Sequence, residues 1–216
     1  MKKANVFIII SVSVFILTMT AYVRAQMGSP DAIAIIKGTS AQSSAISGTV
    51  SFKQVGEDLL MSAEVKNVSP GKHGFHIHEK GDCSDEGKAA GGHFNPAGVT
   101  HGFLPTDGPE KAHCGDMGNI TVDADGTGIL ELILPNIHLT GDKNNVSGLA
   151  VILHEKEDDF GQPTGNAGGR IGCGIITSTQ NVPDAMKAEA QPVKNDNMMM
   201  EQAAMGSMPE QMNATK

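Results

Sequence analysis

The amino-acid sequence predicts an all-β protein built from short strands. Three observations predict it. Apolar and polar residues alternate over several short stretches, 26 of the 216 residues are glycine, and aromatics are scarce, with seven Phe, one Tyr and no Trp. A period of two marks a half-buried strand, and frequent glycines supply the turns between strands. The core must then be built from Val, Ile, Leu and Ala.

Residues 1–25 read as a secretory signal. Lys2 and Lys3 form a basic start, an apolar run follows to Met19, and Val23-Arg24-Ala25 offers a cleavage site before Gln26. The apolar run nearly reaches spanning length, so an uncleaved anchor is the rival reading. Cleavage leaves no stable membrane association. Either way the folded part lies outside the cytoplasm. The Lys-Lys start has a bacterial look and points to the periplasm, with extracellular or membrane-anchored forms as alternatives.

Residues 26–31 form a short linker, and a folded domain is expected over 32–180. Its strands are expected at 32–37, at 46–52, at 60–66 after the Gly56-Glu57-Asp58 turn, at 74–78, at 119–122 and 128–134, at 146–154 and at 170–177. Asp123-Ala124-Asp125-Gly126 between the fifth and sixth is a hairpin signal. Two long Gly-rich stretches, 79–118 and 155–169, separate strands. Loops of that length are functional or disordered, and the histidines in the first favour function. Residues 181–216 are polar and Met-rich without apolar period, and read as a disordered tail.

The formal net charge of -8 argues against nucleic acid, which needs clustered Lys and Arg. It leaves room for a small anion drawn to a local cationic pocket. Export permits a disulfide among Cys83, Cys114 and Cys173. With three cysteines one thiol stays unpaired, and spacing alone does not choose the pair.

The histidines carry the chemistry. His76 and His78 are two apart on a strand and so share a face, where two imidazoles can grip one ion. His154, at the end of another apolar strand, can bring a third. His93, His101, His113 and Asp116 lie in the first long loop, and three imidazoles with one carboxylate suit a tetrahedral zinc site. Any one of these histidines alone could be an ordinary hydrogen-bonded side chain. Six together, spaced by Gly-rich turns, are hard to read that way.

The motifs Gly74-Phe75-His76-Ile77-His78-Glu79, Gly92-His93-Phe94-Asn95-Pro96, His113-Cys114-Gly115-Asp116-Met117-Gly118-Asn119 and Gly165-Asn166-Ala167-Gly168-Gly169-Arg170 resemble, in order, those of the copper/zinc superoxide dismutases. The resemblance covers about residues 32–178. It implies an eight-stranded antiparallel Greek-key β-barrel or sandwich with two long metal-site loops. It implies copper on His76, His78, His93 and His154, and zinc on His93, His101, His113 and Asp116, with His93 bridging the two. It further implies that Asp158 links a copper-ligand histidine to a zinc-ligand one, that Arg170 beside the copper orients the superoxide anion, and that Cys83 pairs with Cys173. Homodimerisation is common in the family. The implied reaction disproportionates superoxide to oxygen and hydrogen peroxide.

One departure stands out. The second loop is short and acidic, and Pro163 stands where the family often has a lysine, so steering of the anion is expected to be weaker or to use another cation such as Lys156. Two rival readings remain. One is a non-catalytic copper-binding or copper-delivery protein on the same scaffold, which the tail methionines 186, 198, 199, 200, 205, 208 and 212 keep open because thioethers favour Cu(I). The other is a structural sandwich that uses zinc alone. His73 and His138 are expected to be structural, and Cys114 a buried inert thiol.

Overall fold

The computed structural model describes residues 28–182. The segment read as a secretory signal with its expected cleavage site, part of the expected linker and most of the expected tail lie outside the described residues. Nine strands run as β1 (Ala32–Gly38), β2 (Ser47–Val55), β3 (Asp58–Lys66), β4 (Gly71–His78), β5 (Asp116–Val122), β6 (Gly128–Leu134), β7 (Ala150–His154), β8 (Arg170–Ile175) and β9 (Thr177–Ser178). All pairings between them are antiparallel, in the order β2-β3-β6-β5-β4-β7-β8-β1-β9, and β1 also pairs with β2. That last pairing closes eight strands into a barrel and leaves β9 as a short extra strand on β1. The connections β3 to β4 and β6 to β7 skip neighbours, which is the Greek-key pattern.

Local chemistry explains the elements. β2 and β3 form a hairpin around Gly56 and Glu57, closed by the pair Val55 and Asp58. Gly56 has φ 60, which suits glycine in a two-residue turn. The 123–126 hairpin is also present, with the Asp123 N–H donating to Thr127 O at 2.9 Å and Gly126 at φ 83. Inward residues of alternating strands, among them Phe52, Leu59, Met61, Phe75, Ile77, Met117, Ile120, Val151 and Leu153, make the barrel core.

The structure departs from the sequence expectation in four places, the first being that β5 begins at Asp116, a residue read as part of the first long loop. Residues 146–149 are a turn, not the start of the seventh strand, with the Leu149 N–H bonded to Val146 O. The last strand breaks at Ile176, whose side chain is buried in the core, so β8 pairs with β7 and β1 while β9 pairs with β1 alone. The first long loop contains a 3-10 turn at Lys88–Ala90 and one helical turn, α1 (Leu104–Asp107), pinned by buried Leu104.

Candidate metal centre

β4 places two histidines by simple alternation. Phe75 and Ile77 point into the barrel core, so His76 and His78 point outward. The outward face is not wet, because the two long loops fold over it. His76, His78, His93, His101, His113, His154, Asp116 and Asp158 are all buried. The ladder register slips between Gly74 and His76 in β4–β5 and between Leu153 and His154 in β7–β8. Irregularities of this kind re-aim side chains beside functional sites.

Two groups of potential ligand atoms result. One joins His76, His78, His93 and His154, the other His93, His101, His113 and Asp116, and within each group the atoms lie within 4.8 Å of one another. His93 belongs to both. A third group, His76, His101 and Asp158, ties them together. Asp158 Oδ2 is 2.8 Å from His76 Nε2, and Oδ1 is 3.0 Å from His101 Nε2.

The ring nitrogens divide consistently. His76 and His101 each give Nε2 to Asp158, His78 gives Nδ1 to Gly91 O at 2.9 Å, and His154 gives Nδ1 to Gly168 O at 3.4 Å. The second nitrogen of each ring is left for the cluster. His78 Nε2 and His154 Nε2 stand 3.3 Å apart. His76 Nδ1, His101 Nδ1 and His113 Nδ1 are buried without a hydrogen-bond partner, the last two 2.9 and 3.1 Å from Asp116 oxygens but not aligned to donate. Buried nitrogens facing one another without donors are what a cation satisfies. The donor sets therefore fit the two metals: four imidazoles suit copper, and three imidazoles with a carboxylate suit zinc.

Electrostatics follows from burial. Desolvation lowers His76 to about 4, His78 to about 2 and His154 to about 3, with neighbouring histidines adding to the effect. His93 is lowered for the same reason, against the pull of Asp116. His101 goes the other way: burial opposes its charge, but Asp116 and Asp158 outweigh burial and raise it to about 9. Burial also opposes ionisation of Asp116, yet the imidazoles of His101, His113 and His93 hold it well below the usual carboxylate range. Asp158 is held low in the same manner by His101 and His76.

Arg170 opens β8, opposite His154 on β7. Its guanidinium donates to the carbonyl oxygens of Gly87 and Gly91 in the first loop. Its positive charge contributes to the lowering of both His78 and His154. Cys83 is disulfide-bonded to Cys173, with Cα atoms 5.8 Å apart, so the loop that carries Gly87 and Gly91 is stapled to β8. Cys114 is a buried free thiol, pushed up to about 11 by burial and by the charges of Asp116 and Glu110. His73 bonds His154 O and Ser69 O, both at 2.9 Å, and His138 sits 3.8 Å from Glu57, away from the cluster. The stem of Lys156 lies along Gly168 at the edge of the second loop.

Sequence reasoning missed two supports. The Asn119 carboxamide donates to Asp158 O at 2.9 Å and accepts from the Asp158 N–H at 2.7 Å, which fixes the carboxylate from behind. Gly165, at φ 78, leaves room for the same carboxylate, since a Cβ there would collide with Asp158 Oδ1. Asn119 and Gly165 stand in motifs already singled out, but nothing local announces these roles, because the partner of Asn119 lies 39 residues away.

The family model for copper/zinc superoxide dismutase (SODC) matches residues 46–176. The chain belongs to that family. It is 41% identical to the extracellular superoxide dismutase [Cu-Zn] of Brugia pahangi over 141 residues, covering 61% of this chain and 69% of the relative. It is also 41% identical to the superoxide dismutase [Cu-Zn] of Onchocerca volvulus over 160 residues, 68% of this chain and 96% of the relative. Among solved structures, the crystal structure of the clock protein EA4 matches with a TM-score of 0.61 and 38% identity, covering 69% of this chain and 96% of that one. This dismutase is an oxidoreductase that uses copper and zinc and takes superoxide as substrate. The disulfide and the extracellular relative both go with an exported protein. The bacterial origin expected from Lys2 and Lys3 is not borne out, because these relatives are nematode proteins.

Proposed function

We propose that His76, His78, His93 and His154 hold the copper of this dismutase, and that His93, His101, His113 and Asp116 hold the zinc. The division of ring nitrogens carries this assignment: one nitrogen of His76, His78, His101 and His154 is tied to protein, and the other is left for the cluster. Bound copper supplies the one-electron oxidation and reduction that turn two superoxide anions into oxygen and peroxide, while zinc is redox-inert.

The chain's own residues do the rest. Arg170 attracts and orients the anion beside His78 and His154. His93 turns Nδ1 toward Asp116, 2.8 Å away, as two of the groups that would hold zinc, and so leaves Nε2 to take up a proton and pass it to the reduced product. Asp158 sets the orientation of His76 and His101 together. None of these residues is missing, which favours the enzyme over a delivery protein. The organisation that goes with this reading is a cleaved signal at 1–25, a linker at 26–31, the barrel at 32–180 and a tail at 181–216. Of the export routes, secretion to the extracellular space is the one the Brugia relative supports, and the periplasm gains nothing from it. A homodimer belongs to this reading only as the state common in the family.

The test is metal analysis and superoxide turnover on the purified mature chain. Copper and zinc in equal amounts are expected, and His154→Ala should lose copper and turnover while keeping zinc. Full turnover in that variant removes His154 from the copper set.

A further inference from the structure

We propose that Gln162 is a positioning residue for the zinc side of the centre, acting on His101 through its backbone; this rests on the assignment of His101 to zinc. Gln162 Oε1 accepts from the His101 N–H at 3.1 Å, and Gln162 Nε2 donates to His101 O at 2.9 Å. One carboxamide thus takes both main-chain polar groups of one ligand residue. His101 lies in irregular chain, outside any strand or helix, so no ladder holds its backbone in place. Gln162 supplies what a strand neighbour would, a donor and an acceptor side by side.

The same short segment grips the side chain. Asp158 takes His101 Nε2, and the Phe160 ring stacks on the imidazole with centroids 6.2 Å apart and planes 19° from parallel. The Phe160 backbone stands at φ 58, an uncommon setting for a bulky residue, while its N–H donates to Asp158 Oδ1 at 2.8 Å. Residues 158, 160 and 162, at two-residue intervals in the second loop, therefore fix the ring nitrogen, the ring face and the backbone of one histidine in the first loop. A metal ligand held on three sides has little freedom left to lose on binding, and its Nδ1 is aimed before the ion arrives. Gln162 is itself exposed, so shortening it opens no cavity.

The experiment follows zinc release from purified holoenzyme to a chromogenic chelator, together with copper content, thermal midpoint and the visible spectrum of protein carrying cobalt in place of zinc. Gln162→Ala should release zinc about tenfold to a hundredfold faster than wild type, the range for loss of a residue that orients a ligand. Gln162→Glu, which keeps the acceptor and loses the donor, should fall between. Copper retention and the thermal midpoint of the metal-free protein should stay near wild type, and the cobalt spectrum should broaden. Wild-type zinc release in Gln162→Ala overturns the proposal and leaves the zinc assignment standing. Equal acceleration of zinc and copper loss with a lowered metal-free midpoint also overturns it, because that marks general loosening. A wild-type chain that takes up no zinc, or a His101→Ala variant that keeps it, instead overturns the zinc assignment.

Discussion

Arg170 and His78 are held by the same atom. Arg170 Nη2 and His78 Nδ1 both donate to the carbonyl oxygen of Gly91. The residue proposed to attract the anion and a proposed copper ligand thus share one anchor in the first loop. Arg170→Ala should lower kcat/KM about tenfold to a thousandfold, the span over which a focused charge alters the capture of an anion. Arg170→Lys should fall between, because an ammonium keeps the charge but does not span the Gly87 and Gly91 carbonyls as a planar fork does. Fast superoxide decay with copper content held equal measures both. A low-salt rate in Arg170→Ala equal to wild type rules out the role.

Asp158 is expected to matter for metal rather than for the anion. Asp158→Asn keeps the shape, but its Nδ2 cannot accept from an imidazole, so one of the His76 and His101 bonds is lost. Affinity for metal should fall about tenfold to a hundredfold in chelator competition. Unchanged affinity for both metals would show that the link between the two groups does nothing for binding.

The metal-free protein should have a stability maximum near neutral pH. His76, His78 and His154 are held neutral at about 4, 2 and 3, so between those values and 6.5 the unfolded chain binds more protons, and stability falls as pH drops below 6.5. His101 is raised to about 9, so its contribution is complete below 6.5 and is lost as pH rises through 9. Thermal midpoints of chelator-stripped protein from pH 4 to 10 should therefore rise and then fall, and His101→Asn should flatten the alkaline limb. A midpoint that climbs steadily to pH 10 contradicts the assignment for His101.

The disulfide closes a separation of 90 residues. In the chain-entropy model such a closure contributes about 4–5 kcal/mol. The double variant Cys83→Ala, Cys173→Ala should lose up to that amount in urea unfolding. It should also lose more turnover than copper, because the loop that holds Arg170 through Gly87 and Gly91 is freed. Turnover that tracks copper content one for one would separate the staple from Arg170.

Steering past the acidic second loop should be modest. Lys156→Ala is expected to lower kcat/KM about twofold to fivefold at low ionic strength, with the difference vanishing near 1 M salt, where the screening length is about 3 Å. A difference that persists in high salt would mean that Lys156 acts by contact and not through its field.

Much of this was legible in the sequence because it rests on short-range rules. Alternation in β4 puts Phe75 and Ile77 inward and His76 and His78 outward, whatever the rest of the chain does. Glycines fix the turns at 56 and 126. The break at Ile176 was not legible, because a strand that changes partners looks like one continuous strand until its neighbours are known. The Asn119 clamp on Asp158 and the grip of Gln162 on His101 span 39 and 61 residues, and polar side chains in loops carry no periodicity to announce them. The proposed copper and zinc groups stood out because four of their six histidines fall in the quoted motifs, which carry His101 and His154 with them by resemblance, while His73 and His138 stand outside both groups.

The pairing of β9 with β1 brings the two ends of the barrel together. Ala32 lies opposite Ser178, and the Thr179 hydroxyl donates to Pro30 O at 3.0 Å. The domain enters and leaves at one seam, like a bead threaded through a single hole. It is thereby suited to be spliced as a cassette into an exposed loop of a host protein, with the host chain continuing across a gap of one strand spacing, about 5 Å.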